Sequence, residues 1–422
     1  MIAVPFIYFS LIAFWQFKRN KNRIDVGVLI AALYAISGLF SIFYKNYTYE
    51  VNYEINFIPC FVYCSLLTLN LFPFLKYSHL GINIIPSGSS TKWVKVLSWV
   101  AIGWFGIMLL FTFNQFINML TGDMLAARNA VYQGTAEDSW LSQLPSVIRI
   151  PMVILNLCFG CPWILLLLAF YSYFTLKLPL KYFLFFFIAS LSGPLAGILG
   201  ADRSSTAYWI LSLFGIYLLF FPSIPQKQRK YMNTFIMIVI GALAIYLSMM
   251  TVARFEDRNM GIGNVSGVEG SLISYLGQSY PNFCYFFDYF TPAFSNLNLL
   301  FPFTAKNILG EELVGGVVLQ REMDLRTGIQ TGVFYTYLGQ IRIFCGMFVM
   351  FVFAFLYSFI SAKQLKSIKR RGLDLKNAFI YFGLSSMMLL GLFTYHYSGP
   401  SRTFSVFFFL FLFNMFAKVR MR

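Results

Sequence analysis

Long apolar runs separated by short polar gaps occupy most of the chain. A helix needs roughly 20 apolar residues to cross the hydrocarbon core of a bilayer. Runs that approach or exceed this length lie at 1–17, 25–44, 57–75, 96–113, 147–171, 181–200, 204–221, 232–252, 332–360, 378–396 and 403–417. The pattern predicts an all-α integral membrane protein, a polytopic bundle of about 11 transmembrane helices.

The first apolar run is expected to remain in the protein as a span. It begins at Met1, and its basic residues follow it at positions 18–23. A cleaved secretory signal has the opposite order, with basic residues first and a small-residue cleavage site after the apolar stretch. We therefore predict a retained first helix whose N-terminus is outside.

The basic residues alternate between gaps in the manner that membrane insertion favours. The gaps after odd-numbered spans, together with the C-terminal tail, contain 21 of the 32 basic residues and only two acids, Asp25 and Asp374. The opposite gaps contain the other 11 basic and 14 acidic residues. Because cytoplasmic loops are enriched in Lys and Arg, the C-terminus is predicted to be cytoplasmic.

Two of the predicted outer gaps are long enough to form a site. They are 114–146 and a large periplasmic loop at 253–331. The aromatic stretch 280–290 within the larger loop is too short to span, so we expect an interfacial or re-entrant helix there. No linker or shift in composition divides the chain, and 1–422 is expected to form a single polytopic membrane domain.

Composition supports a membrane protein and argues against several functions. Hydrophobic residues make up 58% of the chain and charged residues 11%, whereas a soluble domain has about 25% charged residues. The net charge of +16 arises in the short gaps, so no nucleic-acid partner is expected. Cys158 and Cys161, in a predicted span, are interpreted with the other cysteines as packing residues, and no metal or cofactor is predicted.

The outer gaps and the outer parts of the adjoining spans contain nine arginines and only two lysines. Either side chain can set topology, but the planar guanidinium also binds phosphate through two parallel hydrogen bonds. This preference favours anion recognition on the outer face. The alternative is that these arginines pair with the outer acids.

The tight outer turn Leu199-Gly-Ala-Asp-Arg-Ser-Ser-Thr-Ala207 carries the clearest candidate site. It places Arg203 at the N-terminal end of a predicted helix, where free backbone N–H groups and the helix dipole favour an anion. Ser204 adds a hydroxyl donor. In the alternative interpretation, Asp202 caps the helix and Arg203 extends to the membrane surface.

The Gly-x-x-Arg-Ser pattern of this turn resembles the hallmark of O-antigen polymerases and O-antigen ligases. The stretch Thr331-Gly-Val-Phe-Tyr-Thr-Tyr-Leu-Gly-Gln-Ile-Arg-Ile-Phe-Cys-Gly346 is similar to oligosaccharide repeat unit polymerases. The layout of many spans with one large outer loop late in the chain agrees along nearly the whole length.

This resemblance implies a membrane glycosyltransferase of lipopolysaccharide or other surface polysaccharide biosynthesis in the bacterial inner membrane. Such an enzyme transfers a glycan from its undecaprenyl diphosphate carrier to the next undecaprenyl-diphosphate-linked oligosaccharide, without a metal. Arg203 would stabilise the departing diphosphate. The partners implied are the lipid-linked substrate, membrane lipid and, as a candidate, a chain-length regulator protein.

Four more outer arginines are candidate diphosphate ligands on position alone. Arg254 and Arg258 are four residues apart just after the eighth predicted span, so a helix would place them on one face. Arg342 lies inside a predicted span, where a buried charge is costly and suggests function. Arg402 follows Ser398-Gly-Pro-Ser401 in the last outer turn. For each arginine, an ion pair is the alternative.

An attacking sugar hydroxyl needs a general base. His396 is the one histidine predicted to be outside, and an aromatic-belt position is the alternative interpretation. Glu269 in the large loop is a second candidate base, with Asp288, Glu311 and Glu312 as rivals.

Two other functions remain open at this point. An O-antigen ligase would share Arg203 but use a different acceptor. A lipid-linked oligosaccharide flippase or another transporter is expected to have repeated halves and charges within several spans, which this sequence lacks.

Overall fold

The structure is a computed structural model of the chain. It describes residues 1–48, 54–82, 85, 90–121, 141, 144–200, 203–255, 267–289, 300–301, 309–310, 325, 335–398 and 400–418. Helices of eight or more residues in this part are α1 (Val4–Arg19), α2 (Val26–Thr48), α3 (Phe57–Lys76), α4 (Ser90–Thr121), α5 (Ser146–Phe159), α6 (Pro162–Phe170), α7 (Leu180–Ser190), α8 (Ser192–Leu199), α9 (Arg203–Phe220), α10 (Gln226–Phe255), α11 (Gly267–Gly277), α12 (Ser279–Tyr289), α13 (Thr336–Arg371), α14 (Leu375–Leu389) and α15 (Pro400–Lys418).

Each predicted span overlaps one of these helices or a pair of consecutive helices. Seven candidates in the described residues are long and apolar enough to cross a membrane, or eight if a bent pair counts as one span. The described part is thus that of an all-α polytopic membrane protein. Because α1, α14 and the apolar part of α15 are shorter than these candidates, the count of eleven and the topology stay predictions.

The predicted span 147–171 is broken in the structure. Its two halves, α5 and α6, are bent by 70° at the intervening Gly160 and Cys161. Pro162 lacks a backbone N–H and disfavours the helical conformation in the residue before it. Accordingly, Cys161 adopts φ −120° and ψ 88°.

The predicted span 332–360 also contains a break. Gly346 has φ 86° and ψ 172° inside α13, a backbone conformation that is essentially restricted to glycine. The residues before it form a short helical segment that includes Arg342. This segment is therefore separate from the long helix that follows.

Contacts divide the chain into two compact units that interleave in sequence. The first comprises Met1–Ile82, Asn259–Arg371 and Gly383–Thr403. The second comprises Asn83–Arg258, Gly372–Phe382 and Phe404–Arg422. The expectation of a single membrane domain stays a prediction.

The first unit has an aromatic interior. In it α1 packs on α2, α3 packs on α13, and α12 packs against all of α2, α3 and α13. The Tyr63 ring lies 4.9 Å from that of Tyr280 and 5.2 Å from that of Phe283, measured between centroids. Asn70 on α3 donates a 2.6 Å hydrogen bond to the buried Tyr337 hydroxyl on α13. These contacts fix the short helix α12 within the unit.

The two helices of the large loop pack closely on α2. Ser37 and Ser41, one turn apart on α2, donate hydrogen bonds to the carbonyls of Leu276 and Gly277 at distances of 2.8 and 2.7 Å. They satisfy carbonyl groups at the C-terminal end of α11, which have no partner within their own helix. Whether this helix pair lies at the membrane interface or re-enters the bilayer stays a prediction.

The second unit is built around the α6–α9 region. Here α6 packs against α7 and α9, α4 packs against α7 and α8, and α9 packs against α10. The Trp163 ring of α6 packs against the rings of Phe379 and Phe382 in the first half of α14. The distance between ring centroids is 5.2 Å in both cases. The antiparallel pair of α9 and α10 carries the first candidate site.

Candidate functional site

Arg203 is the first residue of α9 and is buried, with 6% of its surface exposed. Its Nη1 donates a 2.9 Å hydrogen bond to Oγ1 of Thr251 on α10. Thr251 is itself buried and donates its hydroxyl proton to the carbonyl of Leu247 at 2.7 Å. The buried position argues against an Arg203 side chain that extends to the membrane surface.

The register between α9 and α10 brings a second arginine to the same end of the pair. Arg203 meets Thr251, and Tyr217 donates to Asn233 further along the two helices. Arg254 follows Thr251 by three residues on α10. At 1.5 Å per residue it lies about 4.5 Å further along the axis. The backbone of Arg254 is therefore placed beside the N-terminal end of α9.

The N-terminal turn of α9 also carries hydroxyl groups. Ser204 is half-buried, and Thr206 is fully buried, three residues after Arg203. Among the described residues the Thr206 hydroxyl has no hydrogen-bond partner. Together with the backbone N–H groups of this first turn, these side chains form a donor-rich end.

Arg342, in the first unit, is held by the large loop. It is 4% exposed, and its Nη2 donates a 2.8 Å hydrogen bond to the carbonyl of Phe287 near the end of α12. Its guanidinium also lies over the Phe287 ring, 5.5 Å from the centroid. The carboxylate of Asp288 is close enough to act on it electrostatically. These contacts give Arg342 a structural role in fixing α12.

The structure brings His396 and Arg402 together within the first unit. His396 begins a short 3-10 turn beyond the end of α14. Nη1 of Arg402 lies 3.2 Å from the His396 carbonyl and 3.4 Å from His396 Nδ1. Thr403 donates to the Tyr397 carbonyl at 2.7 Å, which holds the start of α15 against this turn. His396 is 4% exposed, so it packs inside the unit.

The surroundings of His396 decide its protonation. Burial, and secondarily the positive charge of Arg402, hold the pKa of His396 well below its usual range. A guanidinium can only donate hydrogen bonds, so in this contact Nδ1 of His396 is the acceptor. Protonating Nδ1 would bring two positive groups together. The geometry therefore favours His396 as an anchor for Arg402 over a role as a general base.

The carboxylates proposed as bases lie in different settings. Glu269 is exposed in the first turn of α11. Asp288 is exposed on α12 and accepts a 2.8 Å hydrogen bond from Asn56, the residue before α3. Arg258, Glu311 and Glu312 lie outside the described residues, as does Asp202.

Two residues at these sites were missed by sequence reasoning. Thr251 holds Arg203, and Gln340 accepts a hydrogen bond from the backbone N–H of Tyr395, next to His396. The signal available for the first was position, because Thr251 and Arg203 lie at the outer ends of two consecutive predicted spans. Nothing local in the sequence indicated the second, since its partner is 55 residues away.

Among the described residues, no group of three or more His, Cys, Asp or Glu side chains has a geometry that could hold a metal ion. All six cysteines are buried, and none forms a disulfide. Comparisons with protein-family models, with curated proteins and with solved structures found no match.

Proposed function

We propose that this protein polymerises oligosaccharide repeat units carried on undecaprenyl diphosphate, at the periplasmic face of a bacterial inner membrane. The product is O-antigen or a related surface polysaccharide. The observation that carries the proposal is the buried guanidinium of Arg203 at the start of α9, held by Thr251. Burying a cation at a membrane helix end is costly and suggests function.

The proposed reaction needs a cation at the leaving group. The bond between the sugar C1 and the diphosphate oxygen breaks, and the diphosphate leaves with the electron pair. The hydroxyl of the next repeat unit forms the new glycosidic bond, and its proton passes to a base. Negative charge grows on the diphosphate, so a preorganised guanidinium lowers the barrier.

The contact between Arg203 and Thr251 suits this role. A neutral hydroxyl orients the guanidinium through its oxygen and adds no negative charge of its own. Arg254, three residues after Thr251 in the sequence, is a second candidate cation for the same diphosphate. Glu269 and Asp288, both exposed, are the described carboxylates of the large loop that could accept the proton.

The test is the surface-glycan profile of a deletion strain that carries the wild-type gene, Arg203→Ala or Arg149→Ala, with protein levels compared. Arg149 is the matched control because it is an exposed arginine in the first turn of α5, also predicted to be outside. We expect wild type and Arg149→Ala to give a ladder of chain lengths. The deletion and Arg203→Ala should give single repeat units on an intact acceptor.

Two results would contradict the proposal. If the deletion strain attaches no repeat unit at all to the acceptor, a ligase or a flippase explains the protein better. If Arg203→Ala restores the full ladder, Arg203 does not carry the reaction.

A further inference from the structure

Thr251 has its hydrogen bonds arranged in a fixed direction. Its proton is donated to the Leu247 carbonyl one turn earlier on α10, at 2.7 Å. Its oxygen therefore presents only lone pairs to the incoming Nη1 of Arg203, at 2.9 Å. A guanidinium has donors and no acceptor, so the two groups are complementary in this one orientation.

Burial makes this contact effective. Thr251 is 3% exposed and Arg203 is 6% exposed, and hydrogen bonds are stronger where the local dielectric is low. Arg203 has several rotatable bonds, which cost conformational entropy when a ligand must order them. A side chain already held by Thr251 has this cost removed before a ligand arrives.

We propose that Thr251 is a positioning residue, which orients the Arg203 guanidinium to bind the diphosphate of a polyprenyl lipid. The inference rests on the proposed function of Arg203 as a diphosphate ligand. It adds a second helix to the site, since Thr251 belongs to α10 and Arg203 to α9. The α9–α10 pair then forms the diphosphate-binding element.

A purely structural role is the rival explanation, because the same hydrogen bond also fastens α9 to α10. The two roles predict different results. A residue that only holds the two helices together affects the thermal stability of the protein. Its substitution reduces ligand binding only as far as it increases the unfolded fraction. A positioning residue affects diphosphate binding in protein that remains folded.

The experiment measures binding of undecaprenyl diphosphate to the purified full-length protein in detergent, with undecaprenol as the ligand that lacks phosphate. The variants are Thr251→Val, Thr251→Ser and Thr234→Val, each also tested by thermal unfolding. Thr234 is the matched control because it lies on the same helix, is exposed, and donates to the carbonyl four residues earlier, as Thr251 does. Val keeps the shape of threonine and removes the acceptor, whereas Ser keeps the acceptor.

We expect Thr251→Val to weaken undecaprenyl diphosphate binding about tenfold, in line with loss of one hydrogen bond to a charged group. Thr251→Ser and Thr234→Val should bind like wild type, and undecaprenol binding should be unchanged throughout. In an Arg203→Lys background, Thr251→Val should have little further effect, because the two residues act as one unit.

The possible results distinguish a failure of this inference from a failure of the proposed function. Equal diphosphate binding by Thr251→Val and Thr234→Val overturns the inference, and so does a wild type that binds undecaprenyl diphosphate no better than undecaprenol. A binding loss that follows only a lowered unfolding temperature also overturns it. If Thr251-dependent binding is found but the protein makes no polymer, the inference stands and the proposed function fails.

Discussion

Hydrogen bonds from buried and half-buried arginines to neutral acceptors recur in both units. Arg203 donates to a threonine hydroxyl, Arg342 to the carbonyl of Phe287, and Arg402 to the carbonyl of His396. A neutral acceptor orients a guanidinium and adds no negative charge of its own. At the scale of single residues, this contact suits the proposed role of Arg203 in anion recognition, whereas Arg342, which also lies in the field of the Asp288 carboxylate, has a structural role.

The site residues were foreseen to different degrees. Arg203 could be proposed because a helix start and a polar turn are local in sequence. The roles of Arg342 and His396 could not be proposed in this way, because they depend on how other segments of the chain pack against these two residues. Arg342 meets a carbonyl 55 residues away, and the burial of His396 could not be deduced from its aromatic neighbours.

Stability should depend on pH through His396. Since its pKa is held well below the usual range, the unfolded chain binds a proton near pH 6.5 that the folded protein does not. The folded state is then favoured above that pH and loses stability as the pH falls. We expect the apparent unfolding temperature in detergent to fall more between about pH 7.5 and 5.5 for wild type than for His396→Gln. Equal falls in the two proteins would show that His396 is not a buried neutral imidazole.

At the scale of helices, positions were predictable from apolar runs, but helix ends and breaks within the runs were not. The apolar pattern that predicted the spans 147–171 and 332–360 cannot reveal a bend, because hydropathy does not change across the bend. Pro162 offered a signal for the first break. Gly346 offered none, since a glycine inside a membrane helix is common and its positive φ is set by packing.

The break in α13 gives a prediction for Gly346→Ala. Its φ of 86° and ψ of 172° are strained for any residue with a Cβ, at a cost of about 1–3 kcal/mol. We expect a lower unfolding temperature in detergent. Gly103→Ala is the matched control, because a methyl group added at Gly103 inside α4 would meet nothing within 4 Å and should be neutral or stabilising. An unchanged temperature for Gly346→Ala would mean that α13 is continuous.

The close approach of α11 to α2 gives a second prediction at this scale. A methyl group at Gly277 would lie 2.5 Å from the Phe40 carbonyl oxygen, which is backbone and cannot move aside easily. Gly277→Ala should destabilise the protein by about 1–3 kcal/mol through overpacking. Gly270→Ala on the same helix meets nothing within 4 Å and is the control. Equal stability of the two variants would contradict the packing of the large loop on α2.

At the scale of the whole molecule, the chain passes repeatedly between two compact units. The sequence predicted no such division, because no linker or shift in composition marks it. Units assembled from distant segments depend on long-range packing, which is not encoded locally. Arg203 and the backbone of Arg254 belong to the second unit, whereas Arg342, His396 and Arg402 belong to the first.

Reporter fusions test the predicted topology of the whole chain. A fluorescent protein that matures only in the cytoplasm should be active when fused after Arg422 and inactive at position 302. An alkaline phosphatase that is active only outside should give the reverse. The physical reason is the excess of basic residues in alternate gaps. Fluorescence from the fusion at position 302 would show that the topology is the reverse of the predicted one. Arg203 would then lie on the wrong face for the proposed reaction.

Polymerisation by the purified protein is the decisive experiment for the proposed function. Wild type, Arg203→Ala and Arg149→Ala would be supplied with repeat units on undecaprenyl diphosphate, and the products resolved by length. We predict chains of two or more units from wild type and Arg149→Ala, with one undecaprenyl diphosphate released per new bond. Arg203→Ala should be at least about 100-fold slower, the scale of losing one charge-stabilising donor. A wild type that never lengthens its substrate, or an Arg203→Ala variant as fast as wild type, would contradict the account.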